Sequence, residues 1–177
     1  MNVYIGLDIS TSKIGMALIA EDQTLVETKL VKLNSANSLE TRAMNFAMHL
    51  ITFLGPKYKA IGVFVEEPAS IFSMGRSSAH TISKLQRFNG MCCYAIATGL
   101  GMSAKLIPVR SARSSVGIKV KRGDNTKLEV IKWVKQKYPK DFLFEITRYG
   151  NPKPGTDDMA DAIVVALAGI NQKKLDK

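Results

Sequence analysis

The 177-residue chain is 46% hydrophobic and 23% charged, which is typical of a globular protein and excludes disordered and fibrous classes. We expect a single domain over residues 1–177, because this length suits one full hydrophobic core. No apolar run approaches the ~20 residues of a transmembrane helix, and the N-terminus lacks the pattern of a signal peptide. We therefore expect a cytoplasmic protein with no membrane partner.

The net charge of +10 is concentrated in one part of the chain. Between residues 69 and 123 there is no Asp or Glu, whereas Lys and Arg are frequent. The basic residues there are Arg76, Lys84, Arg87, Lys105, Arg110, Arg113, Lys119, Lys121 and Arg122. Such a block indicates a binding surface for a polyanion, most often nucleic acid. A basic surface that serves only solubility is the alternative.

In chain order, the hydrophobic pattern predicts three strands, a helix, a strand, a helix, a fifth strand and three more helices. The predicted strands are Asn2 to Ile9, Gly15 to Ala20, Thr24 to Leu33, Ala60 to Pro68, and the segment AKLIPV. The predicted helices begin near Leu39, Ile82, Ser111, Asn125 and Asp157. This order predicts an α/β layer fold with a mixed sheet that begins as an antiparallel meander.

The last predicted helix, Asp157 to Ile170, is apolar on most sides and is expected to pack against the sheet. Thr156 is its predicted N-cap.

Several acidic residues interrupt or border apolar sequence. They are Asp8, Glu66, Glu67, Asp157, Asp158 and Asp161. An ionised carboxylate among buried neighbours is costly unless a cation or a metal pairs with it. Asp158 and Asp161 share one helical face, and Asp8 and Glu66 can point at the same helix if their strands are neighbours. Oxygen ligands without nearby His or Cys favour Mg²⁺ or Mn²⁺, and a pair of such ions is the usual device for phosphodiester hydrolysis.

Each of these acids also has a plainer interpretation. Asp157 and Asp158 could favour the positive end of the helix dipole. Asp8 could accept hydrogen bonds from the Ser-Thr-Ser corner that follows it. Glu67 could be an exposed strand end.

Four segments, taken in order, resemble segments of the RuvC-type Holliday junction resolvases of the RNase H-like superfamily, phage members included. YIGLDISTSKIGMALI is similar to the first two strands of that family and matches its catalytic Asp at Asp8. VFVEEP is similar to the strand that ends in its catalytic Glu, at Glu66. PVRSARSSVGIKVKRGDNTKLEVIKWV is similar to its basic helix and turn, and DDMADAIVVALAG to its final helix, with matches at Asp158 and Asp161.

The resemblance implies an RNase H-like mixed five-stranded sheet flanked by helices. It implies a homodimeric endodeoxyribonuclease of the crossover-junction type that cleaves four-way and other branched DNA symmetrically in recombination or repair. It places this enzyme in a bacterial cell or a phage-infected host. Two Mg²⁺ or Mn²⁺ ions per active site are expected at Asp8, Glu66, Asp158 and Asp161. The expected DNA-binding residues are Phe72, Arg76, Arg110, Arg113, Lys119, Lys121 and Arg122.

Three other functions stay open from the sequence. One is an RNase H-like nuclease that acts on RNA–DNA hybrids, and another is a junction-binding module without catalysis. The third is an ATP-dependent sugar kinase or chaperone-like ATPase, because GLDISTS is similar to the first phosphate-binding turn of that related fold. Those ATPases need a second domain and a second Gly-rich phosphate loop, which this length does not supply.

Overall fold

A computed structural model describes residues 1–68 and 78–175 of the chain. The order of strands and helices in these ranges is the predicted one. The strands are β1 (Asn2–Ile9), β2 (Lys13–Ala20), β3 (Leu25–Lys32), β4 (Lys59–Glu66) and β5 (Ala104–Ile107). The helices are α1 (Leu39–Leu54), α2 (Ala79–Leu100), α3 (Val109–Ser115), α4 (Thr126–Lys137) and α5 (Thr156–Leu175). Within these ranges, no helix combines the length and apolarity that crossing a membrane would require.

The five strands form one sheet in the order β3-β2-β1-β4-β5. The pairs β1–β2 and β2–β3 are antiparallel, whereas β1–β4 and β4–β5 are parallel. The predicted meander and the mixed five-stranded sheet flanked by helices are therefore confirmed. Leu7 of β1 lies opposite Val65 of β4. Because the two strands are parallel and in this register, Asp8 and Glu66 come together at the carboxyl ends of neighbouring central strands.

Alternation along the strands decides which face each acid occupies. Ile5 and Leu7 of β1 and Val65 of β4 belong to the core cluster under α1 and α2. Phe64 belongs to the other cluster, which contains most of α5 together with residues of α3 and α4. Asp8 and Glu66 alternate with the first set, so both carboxylates face the α5 side of the sheet.

Two glycines allow α5 to approach this face closely. A Cβ added at Gly6 would lie 2.0 Å from the Ala162 carbonyl oxygen, and one at Gly15 would lie 2.0 Å from the Asp158 carbonyl oxygen. Gly15 lies opposite Asp8 in the β1–β2 register. The beginning of α5 is therefore held against the part of the sheet that carries Asp8.

The ends of some helices differ from the prediction. Thr156 is the first residue of α5 rather than its N-cap, and its hydroxyl donates to the Lys153 carbonyl oxygen at 2.8 Å. The short basic helix α3 begins at Val109, directly after Pro108, two residues before the predicted start at Ser111. Pro108 is the N-cap of this helix, and its carbonyl oxygen accepts the Ala112 N–H at 2.8 Å.

Candidate metal centre and nucleic-acid interface

Three carboxylates meet where the central strands face the beginning of α5. Asp8, Glu66 and Asp161 each offer an oxygen, and these oxygens all lie within 4.8 Å of one another. Asp161 is buried, and Asp8 and Glu66 are partly exposed. Because β1, β4 and α5 pack against one another, the backbone holds the three acids in fixed relative positions. We refer to Asp8, Glu66 and Asp161 as the three-acid group.

Electrostatics in this group favour a bound cation. Burial raises the pKa of Asp8 well above its usual range, and the charges of Glu66, Asp161 and Asp158 raise it further. Burial, followed by the charge of Asp161, raises the pKa of Glu66 to about 7. Burial also raises the pKa of Asp161, although the nearby Arg113 guanidinium opposes this shift. These carboxylates repel one another when ionised, and a divalent ion would relieve the repulsion.

One atom of the group lacks the partner that a buried oxygen normally has. Among the residues that the structure describes, no hydrogen-bond donor reaches the buried Glu66 Oε2. Buried polar atoms are satisfied in most proteins, so an exception needs an explanation. Mg²⁺ and Mn²⁺ bind hard oxygen ligands, and the three-acid group therefore fits such an ion.

Asp158 lies one helical turn before Asp161 but is outside the three-acid group. Lys13 Nζ, at the beginning of β2, donates to Asp158 Oδ2 at 2.7 Å. The neighbouring Asp157 accepts a hydrogen bond from Lys127 Nζ of α4. Burial would raise the pKa of Asp157, but the Lys127 hydrogen bond and charge outweigh burial and lower it. Asp157 therefore has a specific cationic partner in addition to its place at the helix terminus.

The Ser-Thr-Ser corner after Asp8 closes on itself. Ser10 Oγ donates to the Lys13 carbonyl oxygen at 2.8 Å and accepts from the Lys13 N–H at 3.1 Å. The buried Arg42 of α1 donates to the Thr11 carbonyl oxygen at 2.8 Å and to the Asn37 carbonyl oxygen at 2.9 Å. The corner is therefore a turn that α1 holds in place, and it determines where Lys13 begins β2.

A basic cleft lies beside the three-acid group. Its lining residues are Arg110, Arg113, Ser114, Gly117, Ile118, Lys119, Val120 and Thr126. Arg110 and Lys119 are exposed, as are Lys121 and Arg122 in the following turn. Arg113 connects the cleft to the acids, because its Nη2 donates to Asp161 Oδ1 at 3.2 Å.

The predicted basic residues that the structure describes lie in two different settings. Arg113 is partly buried within the acidic site, and its guanidinium is engaged by Asp161. Arg110 and Lys119 face the open cleft. Phe72 and Arg76, which the sequence also suggested, lie outside the described residues.

Sequence reasoning did not include Lys13 or Lys127 in the site. A usable signal for Lys13 was the tight turn between β1 and β2. In that hairpin Asp8 pairs with Gly15, so Lys13 must lie near the end of β1. No comparable local signal exists for Lys127, which reaches Asp157 from a separate helix.

The sheet order and the flanking helices define an RNase H-like fold. No protein-family model matches the chain, and no curated protein matches it. Among solved structures, RuvC of T. thermophilus in complex with a Holliday junction substrate is similar at 18% identity and a TM-score of 0.71, covering 99% of this chain and 96% of that chain. Fowlpox virus resolvase in complex with Holliday junction DNA is similar at 15% identity and a TM-score of 0.55, covering 99% of both chains. The yeast mitochondrial Holliday junction resolvase Ydc2 is similar at 14% identity and a TM-score of 0.54, covering 98% of this chain and 80% of that chain. The chain therefore shares the fold of these three resolvases.

Proposed function

We propose that the chain is a metal-dependent endonuclease that cleaves four-way DNA junctions and related branched DNA by phosphodiester hydrolysis. The observation that carries this proposal is the three-acid group directly beside a basic cleft, with Glu66 Oε2 lacking a hydrogen-bond partner among residues 1–68 and 78–175. The shared fold supports branched DNA as the substrate, since T. thermophilus RuvC and fowlpox virus resolvase were both solved with Holliday junction DNA.

Asp8, Glu66 and Asp161 are the proposed ligands of a Mg²⁺ or Mn²⁺ ion, and Asp158 is the proposed ligand of a second ion. When bound, such ions activate water and neutralise charge on the phosphate and the leaving oxygen. The chain itself orients the carboxylates through β1, β4 and α5. Because the pKa of Glu66 is about 7 without a metal, protons compete with the ion at neutral pH.

The basic cleft is the proposed path of the DNA backbone. Arg110 and Lys119 line it, and Lys121 and Arg122 lie in the turn that follows. Phosphate contacts of this kind supply affinity and registration rather than sequence readout. Phe72 and Arg76 follow Glu66 in the sequence and remain proposed DNA contacts, Phe72 from the resemblance and Arg76 from its place in the acid-free basic block.

Digestion of a matched set of substrates tests this function. A four-way junction, a flap, a splayed arm, a plain duplex and an RNA–DNA hybrid are incubated with the protein and Mg²⁺ or Mn²⁺. We expect paired nicks in opposite strands of the junction, and we expect Asp161→Asn to abolish cleavage while junction binding persists. Preferred cleavage of the hybrid would instead favour a ribonuclease. Binding without cleavage by either ion would favour a binding module.

Symmetric resolution requires two active sites, and we propose that a second copy of the chain supplies the other. An apolar face on α1 and α2 suits this contact. Its large exposed side chains are Met44, Met48, Ile51 and Tyr94. The groove between the two helices is lined mainly by small or apolar residues, including Ala47, Gly90 and Ala95. Large side chains beside a shallow groove allow two copies to pack by a two-fold axis, each filling the groove of the other.

Sedimentation equilibrium tests the dimer. Tyr94 is 72% exposed, and we expect Tyr94→Arg to shift the protein to a monomer because it places a charge in the middle of an apolar contact. Leu143 is equally exposed outside this face, so Leu143→Arg is the matched control and should leave the dimer intact. If the wild-type protein is a dimer and Tyr94→Arg is a dimer as well, this face is excluded as the dimer contact.

A further inference from the structure

Lys13 forms an ion pair with an acid that the proposed two-metal site would need. Its Nζ lies 2.7 Å from Asp158 Oδ2, and only 12% of the Asp158 side chain is exposed. A charge-assisted hydrogen bond of this length in a partly buried setting is stronger than a solvent-exposed ion pair. Any ion that is to bind Asp158 through this oxygen must displace the ammonium group.

The backbone holds the two partners together. Lys13 is the last residue of the turn, and its backbone hydrogen bonds with Ser10 Oγ close that turn. Arg42 donates to the Thr11 carbonyl of the same turn. Two residues later, Gly15 brings β2 into contact with the backbone of Asp158 itself. The packed backbone therefore keeps Lys13 within reach of the Asp158 carboxylate.

The other cations of the site leave the three-acid group complete. Arg113 donates to Asp161 Oδ1, yet Asp161 still offers an oxygen to the group. Lys127 engages Asp157. Among the described residues, Lys13 is the cation that engages Asp158, the acid whose inclusion would extend the group toward a second ion.

We propose that Lys13 competes with a second divalent ion for Asp158, so that the DNA-free protein binds one ion tightly at the three-acid group and a second one weakly. This inference rests on the proposed metal-dependent function.

Calorimetric titration of Mn²⁺ into the DNA-free full chain tests the competition. We expect one tight site in the wild-type protein. Lys13→Met keeps the side-chain length but removes the charge, and it should raise the affinity for a second ion at least about tenfold. Lys127→Met is the matched control, because it removes the other lysine beside the acids and should leave the second site weak. Lys13→Arg should behave as the wild type, because the charge is kept.

Asp158→Asn gives a measurement that does not depend on the Lys13 variants. We expect it to remove the weak second site and to leave the tight site unchanged, whereas Asp161→Asn should remove the tight site. Two ions of similar affinity in the wild-type protein would overturn the competition, as would a Lys13→Met protein with a wild-type second site. Failure of the proposed function itself is distinguishable, because then no tight ion would bind and Asp161→Asn would change nothing.

Discussion

Replacing Glu66 with glutamine should stabilise the metal-free protein while destroying its metal site. The substitution keeps the shape of the side chain and removes its charge. Glu66 Oε2 is buried without a hydrogen-bond partner among the described residues, and the carboxylate faces Asp8 and Asp161. The native residue is therefore held in a setting that favours its neutral form.

The pKa of Glu66 gives the magnitude and the pH dependence of this effect. Its rise from an ordinary 4.5 to about 7 means that the folded state holds a proton that the unfolded state has already released. The folded state therefore loses stability as the pH rises through this window, by about 3 kcal/mol once the pH exceeds 7. Glutamine does not titrate. After allowing for the burial of its amide, we expect Glu66→Gln to raise the free energy of unfolding by about 1–3 kcal/mol at pH 8. Near pH 4.5 we expect almost no increase.

Thermal unfolding monitored by circular dichroism checks this expectation. In EDTA at pH 8, Glu66→Gln should raise the midpoint by about 2–4 °C for each kcal/mol gained. In Mn²⁺ the wild-type protein should instead have the higher midpoint, because an ion at a hundred times its Kd stabilises it by about 2.7 kcal/mol. Glu67→Gln is the matched control, since Glu67 is exposed, and it should show neither effect. A Glu66→Gln protein that is no more stable than the wild type at pH 8, or whose gain persists at pH 4.5, would refute the electrostatic reasoning.

Three other substitutions test how the site is built. Gly15→Ala should destabilise the protein by about 3 kcal/mol or more in urea unfolding, because its Cβ would lie 2.0 Å from the Asp158 carbonyl oxygen. Arg42→Leu should cost about 2–4 kcal/mol in the same assay, because the buried guanidinium donates to backbone carbonyls around the turn; a neutral result would mean that the turn forms without it. Lys119→Ala should weaken junction binding and reduce the slope of log K against log salt by about 1. Lys57 precedes β4 at the end of the strand away from Glu66, so Lys57→Ala is the control and should change neither quantity.

The sequence predicted most of the fold because its strongest signals are local. The nearly continuous apolar runs of β1 and β2, the helical periodicity of α1 and the apolar character of α5 each indicate burial directly. The exact helix ends were less predictable. Thr156 has the chemistry of an N-cap, but its hydroxyl bonds backward to Lys153 and the helix already includes it.

The sequence predicted that Asp8, Glu66, Asp158 and Asp161 meet, and the structure brings together Asp8, Glu66 and Asp161 while Lys13 engages Asp158. The acids were predictable from local signals, whereas the cations that engage them were not. Alternation places Asp8 and Glu66 on one face, and helical spacing places Asp161 on the side of α5 that the sheet covers. The Lys13–Asp158 pair joins residues 145 positions apart. Its formation depends on how closely β2 and α5 approach, which no local pattern reports. Arg113 was expected to face DNA, yet α3 packs so close to α5 that its guanidinium reaches Asp161.

The repulsion among the carboxylates and the packing that stabilises the fold involve the same elements, α5 and the central strands. Nearly all of α5 from Thr156 to Ile170 is buried, and Gly6 and Gly15 let its backbone touch the central strands. Such close packing holds mutually repelling carboxylates near one another, whereas a looser framework would let them separate. Relaxing the contact at Gly15 should therefore let the acids move apart and lower their pKa values toward ordinary ones. A Gly15→Ala protein that still folds should bind Mn²⁺ more weakly than the wild type, even though no ligand has changed.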